Sequence, residues 1–285
     1  MEYQGICHKM RTRLDETVET TDGRLAASVD YSLVVEPFEC KLNPLLGQPI
    51  SLTWTGRISC VSCGAKTNKS YAQGHCFRCF KTKASCDLCM MKPETCHHHL
   101  GTCREESFAQ AVCFNPHIVY LANSSALKVG ITRHSQMPTR WLDQGATQAL
   151  PIMQTTNRFL SGVVETLFAQ TLADKTDWRA MLKGEAEPID LLAIRDALLG
   201  RYADDLAKLQ QAYPNEIATL AGDDQVRTFA YPVLQYPKKV TAHNFDKTET
   251  VKGTLLGIKG QYLLLDTGVL NLRKFSGYEL NLKAG

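Results

Sequence analysis

No run of about 18 consecutive apolar residues occurs in the 285-residue chain, which excludes a membrane-spanning helix. The opening stretch, MEYQGICHKMRTRLDETVE, has no apolar core and mixes both charges, so it does not read as an export signal and the cytoplasm is the expected location. No internal repeat and no low-complexity linker divides the chain. A strong charge of one sign is also missing, since 32 Lys and Arg face 29 Asp and Glu, for a net +3. The apolar fraction of 44% and charged fraction of 21% are those of an ordinary globular protein of two or three domains.

What charge there is lies unevenly. Residues 57–104 hold eight Lys/Arg against Asp87 and Glu94, and residues 226–285 hold nine against four acids. Basic segments flanking a neutral middle suit a polyanion, because Lys and Arg release phosphate counterions on binding. The competing reading is a set of solvated faces.

Eleven cysteines are present, and eight of them crowd into residues 60–103. In an intracellular chain such crowding points to metal rather than disulfides. Cys60-x2-Cys63 and Cys76-x2-Cys79 form two knuckles twelve residues apart, which on facing hairpins would complete a tetrahedral S4 site for zinc. Gly64 and Gly74 fit the turns. Four thiolates on Zn²⁺ leave a net charge near −2, so Lys66, Lys69, Arg78, Lys81 and Lys83 also have a purely structural role to fill. In CDLCMMKPETCHHHLGTCR, Cys86 and Cys89 form a third knuckle. Cys96 and Cys103 are its expected partners for a second structural zinc, with His99 as the alternative ligand. Cys113, ten residues beyond Cys103, stays open as a further candidate.

Residues 1–58 alternate like strands. The stretch IVYLANSSALKVGIT (118–132) reads as a hairpin, followed by a helix across 138–145 that starts near Pro138. An apolar stripe of Leu160, Val163, Val164, Leu167, Phe168 and Leu172 predicts a helix over 158–173. A second amphipathic helix spans 188–212, interrupted at Gly200. The last sixty residues alternate again and predict a small antiparallel sheet or barrel. The expected fold is α+β and multidomain: an N-terminal β segment (1–58), a double-zinc, zinc-ribbon-like module (59–110), an αβ domain with trailing helices (111–222) and a C-terminal β domain (223–285).

Tyr120 in the first hairpin strand, Gly130 in the second, Arg140 in the next helix and Glu165 in the apolar helix follow the order of parts in GIY-YIG nuclease-like domains, which residues 115–175 resemble. The resemblance is closest to relatives whose second motif reads Lys-Ile-Gly followed by Thr, as in Lys128-Val129-Gly130-Ile131-Thr132. It implies that Tyr120 helps activate water, Arg140 stabilises phosphate charge and Glu165 holds Mg²⁺ or Mn²⁺. Two departures point to a degenerate site: Ile-Val-Tyr replaces Gly-Ile-Tyr, and Lys128 replaces the second tyrosine. Lys128 can grip phosphate but is a poor proton acceptor at neutral pH, and His134 is the substitute base. Arg133, Trp141 and Gln144 join Lys128 as expected substrate contacts, with Trp141 either stacking on a base or sitting in the core.

As a whole the chain resembles the uncharacterised bacterial family labelled domain of unknown function 2797. The residues that carry this are CFRCF, CDLCMMKPETCHHHLGTCR, HIVYLANSSALKVGITR, RWLDQGA and DKTDWRAML. That family supplies no activity. Three functions are therefore weighed: a zinc-containing nucleic-acid-binding protein with a degenerate phosphodiester site, an active Mg²⁺-dependent nuclease, and a zinc-based protein-interaction adaptor.

Overall fold

The computed structural model describes residues 1–20, 23–172, 177–220, 222 and 224–284. The alternation in residues 1–58 resolves into β1 (Glu2–Cys7), β2 (Arg11–Glu19), β3 (Leu25–Glu36), β4 (Phe38–Lys41) and β5 (Pro49–Ile58). In β3, Val29, Tyr31, Leu33 and Val35 are buried at every second position, the period that points one strand face at a core. The C-terminal alternation gives β11 (Thr250–Lys259), β12 (Tyr262–Leu265), β13 (Gly268–Asn271) and β14 (Tyr278–Ala284), preceded by β10 (Arg227–Ala230).

The two ends of the chain meet in one sheet. β14 lies between β1 and β5, with Glu2 opposite Lys283 and Ile50 opposite Ala284. β11 adds to the other edge of β5. The sheet continues through β3 and β10 into β8 (Gln148–Thr155), β6 (His117–Asn123) and β7 (Leu127–Arg133), in the order β13-β12-β11-β5-β14-β1-β3-β10-β8-β6-β7. β2 and β4 also pair with β3, and β9 (Ile217–Thr219) pairs with β8.

The hairpin forms as its sequence predicts: β6 and β7 are antiparallel, with Tyr120 opposite Gly130. All of β6 is buried, because both faces are covered. Ile118, Tyr120 and Ala122 face a core shared with the terminal strands, while Val119 and Leu121 face the helices. That is why HIVYLAN is apolar throughout rather than alternating.

The helices differ from expectation at their ends. α1 (Phe77–Thr82) and α2 (Glu106–Phe108) lie in the Cys-rich region. α3 covers Thr139–Asp143, with Pro138 at its cap rather than in its first turn. α4 covers Arg158–Phe168, with the Asn157 side chain accepting from the Leu160 N–H as cap. Leu160, Val164 and Phe168 are its buried stripe. Ala173, the last residue of the expected helix, and Asp174, Lys175 and Thr176 of DKTDWRAML lie outside the described residues. Beyond α5 (Trp178–Met181), the expected helix over 188–212 is two helices, α6 (Leu191–Arg201) and α7 (Ala203–Ala212). The break falls at Tyr202, two residues past the weak helix former Gly200, where the ring packs on Phe168.

Candidate functional site

The site is built outward from Tyr120. Its ring lies over Gly130 on the neighbouring strand, and a Cβ at that position would stand 2.7 Å from both Cζ and Oη of the tyrosine. Glycine there is a seat for the ring. The Tyr120 hydroxyl donates to Gln144 Oε1 at 2.9 Å, so the residue that ends α3 holds the tyrosine from above. Burial pushes this hydroxyl above its usual pKa. Arg140, one turn earlier in α3, works the other way, and Glu165 from α4 adds to the rise. Tyr120, Arg140, Gln144 and Glu165 therefore lie within electrostatic reach of one another, although 45 residues separate the first from the last.

Beside them opens a cleft of about 710 Å³ between the Cys-rich region and the central sheet. Its cations are Lys9, Arg133, Arg140, Arg158 and Arg273, against Asp87 and Asp143. Both acids are engaged. Asp143 accepts from Lys9 Nζ at 2.8 Å and from Gln261 Nε2 at 2.8 Å, with Arg273 Nη1 at 3.9 Å. Asp87 pairs with Arg104 Nε at 2.7 Å. Arg133, Arg140 and Arg158 make no ion pair with a carboxylate among the described residues, so the wall they form stays positive. Burial lowers the guanidinium pKa of Arg158, and neighbouring Arg140 adds to this. Two like charges are held close, with Glu165 also within electrostatic reach of Arg158. Arg158 is fixed by donating from Nη2 to the Met90 carbonyl at 2.8 Å.

The other expected contacts are distributed as follows. Lys128 is buried on the same strand face as Gly130. Arg133 lines the cleft, whereas His134 is exposed just past the end of β7. Trp141 is only 3% exposed, edge-on to Tyr120 at 5.9 Å and packed on Phe229, so it is a core residue and offers no face to a base. Gln144 is committed to Tyr120. Lys9, Arg158 and Arg273 are cleft residues that the sequence reading missed. Arg158 carried one signal, a lone cation opening an apolar helix.

At the first Cys cluster the sulfurs of Cys60, Cys63, Cys76 and Cys79 all lie within 4.8 Å of one another, with Cys63 to Cys76 at 3.9 Å. A tetrahedral ion with Zn–S bonds of about 2.3 Å needs sulfurs about 3.8 Å apart, so the four residues fit zinc. Although burial opposes it, N–H groups of Cys76, Cys63 and Ser62 directed at the sulfur hold the Cys60 thiol at about 6, ready to ligate. The second knuckle is not on a hairpin as expected: Cys76 caps α1 and Cys79 lies within it. In the second cluster Cys89 lies within 4.8 Å of Asp87 and His97 donor atoms. Cys86 instead lines the cleft, and His99 is exposed.

Among known protein families, one described as "Protein of unknown function (DUF2797)" matches residues 47–280. The chain belongs to this family. The match runs from just before β5 into β14, so it takes in both Cys clusters and every cleft residue but Lys9. No curated protein and no solved structure matches the chain. No helix among the described residues is long and apolar enough to cross a membrane.

Proposed function

We propose that the protein binds nucleic acid through the phosphate backbone, in the cleft walled by Arg133, Arg140 and Arg158, with a degenerate GIY-YIG-like centre behind that wall and a zinc at Cys60, Cys63, Cys76 and Cys79. The observation that carries this reading is the set of three arginines lacking carboxylate partners, fixed by α3, α4 and β7 on one side of a cleft large enough for a nucleotide backbone. Guanidinium groups are the side chains best matched to phosphate, and here three of them are half-buried and line one cleft, Arg158 partly desolvated. The three-stranded β7-β6-β8 arrangement, with Arg140 on the following helix and Glu165 on the next, supports the GIY-YIG-like assignment.

Binding is favoured over cleavage by the state of Tyr120. Its hydroxyl is buried, donates to a neutral amide and has a raised pKa, which is the opposite of what a water-activating group needs. Glu165 is not among the residues lining the cleft. Titrating a labelled RNA and a labelled DNA with the protein between about 50 and 200 mM salt tests the reading. Affinity should fall steeply with salt. Arg140→Ala should weaken binding and flatten the slope of log affinity against log salt by about 0.7–0.9, the share of one phosphate contact. Glu165→Gln should leave binding unchanged, and added Mg²⁺ or Mn²⁺ should produce no cleavage. Salt-independent or absent binding refutes the proposal; cleavage lost in Glu165→Gln establishes the nuclease instead.

A further inference from the structure

Cys113 lies outside the crowded cysteine segment, at the end of a single wide helical turn (Ala109–Cys113) that leads into β6. The structure brings it back to that segment. A small cavity of about 20 Å³ is lined by Cys89, Cys96, Cys103 and Cys113, with Met90, Phe108 and Phe114 among the residues around them. Cys89 is within electrostatic reach of Cys96, Cys103 and Cys113, and Cys113 of Cys96 and Cys103. The volume is that of one water-sized particle, and all four cysteines line it. Cys86 is not in this wall. It lies on the cleft side, with its sulfur 4.0 Å from Ser85 Oγ.

The surrounding chain needs a crosslink. From Ala84 to Phe114 there is no strand, only single turns such as Leu88–Met90, Pro93–Thr95 and His98–Leu100. Leu88, Met91 and Leu100 are all more than 60% exposed, so these turns share little core of their own. Each of the four cysteines sits in or just after a different turn. A metal joining them does the work that a hydrophobic core does elsewhere.

We infer that Cys89, Cys96, Cys103 and Cys113 form a second tetrahedral zinc site, closed by Cys113 rather than Cys86. Binding replaces four S–H bonds with four Zn–S bonds and releases four protons to solvent. The centre then carries a charge near −2. Arg158 and Arg104 stand next to it to offset that charge, Arg158 within electrostatic reach of Cys113 and Cys89 and Arg104 lining the cavity wall. The three other donors lining the cavity are already engaged, His98 through its Nε2, which lies 2.8 Å from Glu106 Oε2. His97 Nδ1 bonds Thr102 Oγ1 at 2.7 Å and its Nε2 lies 3.5 Å from Asp87, while Asp87 is paired with Arg104.

Zinc should be counted on the purified full-length protein and its single-cysteine variants, followed by cobalt substitution read by visible absorption. The wild type should hold two zincs per chain. Cys113→Ser should hold one, and Cys86→Ser should keep two, with the intense thiolate-to-cobalt bands of two S4 centres. Should Cys113→Ser not fold, Cys86→Ser still decides the matter. Loss of one zinc in Cys86→Ser, retention of both in Cys113→Ser, a single zinc in the wild type, or loss of one on His97→Ala would each overturn the assignment.

Discussion

Replacing Gly130 by alanine adds one methyl group where the structure has no space for it. The new Cβ would be 2.7 Å from Tyr120 Cζ and Oη and 3.1 Å from Cε2. Carbon contacts are comfortable at about 3.5–4.0 Å, so the ring would have to retreat by about 1 Å. It has nowhere to go: Tyr120 is fully buried, edge-on to Trp141 and tied to Gln144. Overpacking of this kind costs about 1–3 kcal/mol, against which the gain in strand propensity is at most about 1 kcal/mol. Urea unfolding of the zinc-loaded protein should thus show Gly130→Ala destabilised by about 1–2 kcal/mol. Repeating the substitution in a Tyr120→Ala background should erase most of that cost, a coupling of at least about 1 kcal/mol between two residues in contact. A neutral Gly130→Ala, or the same cost with and without the tyrosine ring, would refute the idea that this glycine is the seat of Tyr120.

Three further outcomes are expected. His117 is buried at the start of β6, and burial holds its pKa at about 4 in the folded protein, against 6.5 unfolded. The unfolded chain therefore takes up the proton first, so the stability is complete above pH 6.5 and roughly 3 kcal/mol is lost as the pH falls towards 4; urea midpoints across this window should fall less steeply for His117→Gln, and parallel slopes would refute it. Asp143→Ala leaves Gln261 and Lys9 without their acceptor and should lower stability by about 1–3 kcal/mol, measured in the same assay. Cys63→Ser should reduce the zinc content by one and lower the thermal midpoint, since the ion substitutes for a core around residues 60–79.

The parts of this fold that local pattern determines were legible. The hairpin over 118–132 follows from two apolar runs about a polar turn, and α4 from a stripe at helical spacing. Its early end at Phe168, and the division of residues 188–212 into two helices, depend on what Phe168 and Tyr202 pack against, which spacing alone does not encode. The union of β1 with β14 has the same cause: a register joining Glu2 to Lys283 leaves no local trace in the sequence. The candidate site shows the same division. Tyr120, Gly130 and Arg140 stand in a recognisable order, and the fit of ring to glycine supplies the physical cause of that order. Gln144 was noticed but misplaced, as a substrate contact instead of the partner of Tyr120. Arg158 and Lys9 become cleft residues only because α4 and the N-terminal strands fold against one another.

Charge followed segment by segment points to a different surface from the cleft proposed above. Residues 57–104 and 226–285 are the basic stretches, yet of all their Lys and Arg only Arg273 lines the cleft. Four cations of the Cys-rich region have local partners: Lys69 and Lys81 lie over Tyr71 and Phe77, Lys83 pairs with Glu105 and Arg104 with Asp87. The cleft draws its charge from Lys9 and from three arginines in the near-neutral middle of the chain. The two surfaces can be told apart by affinity. Lys69→Ala combined with Lys81→Ala should change RNA or DNA binding less than twofold, while Arg158→Ala alone should weaken it about fivefold or more, the loss of about 1 kcal/mol. Equal losses in the two variants would move the binding surface onto the zinc region and leave the arginine-lined cleft without the role assigned to it.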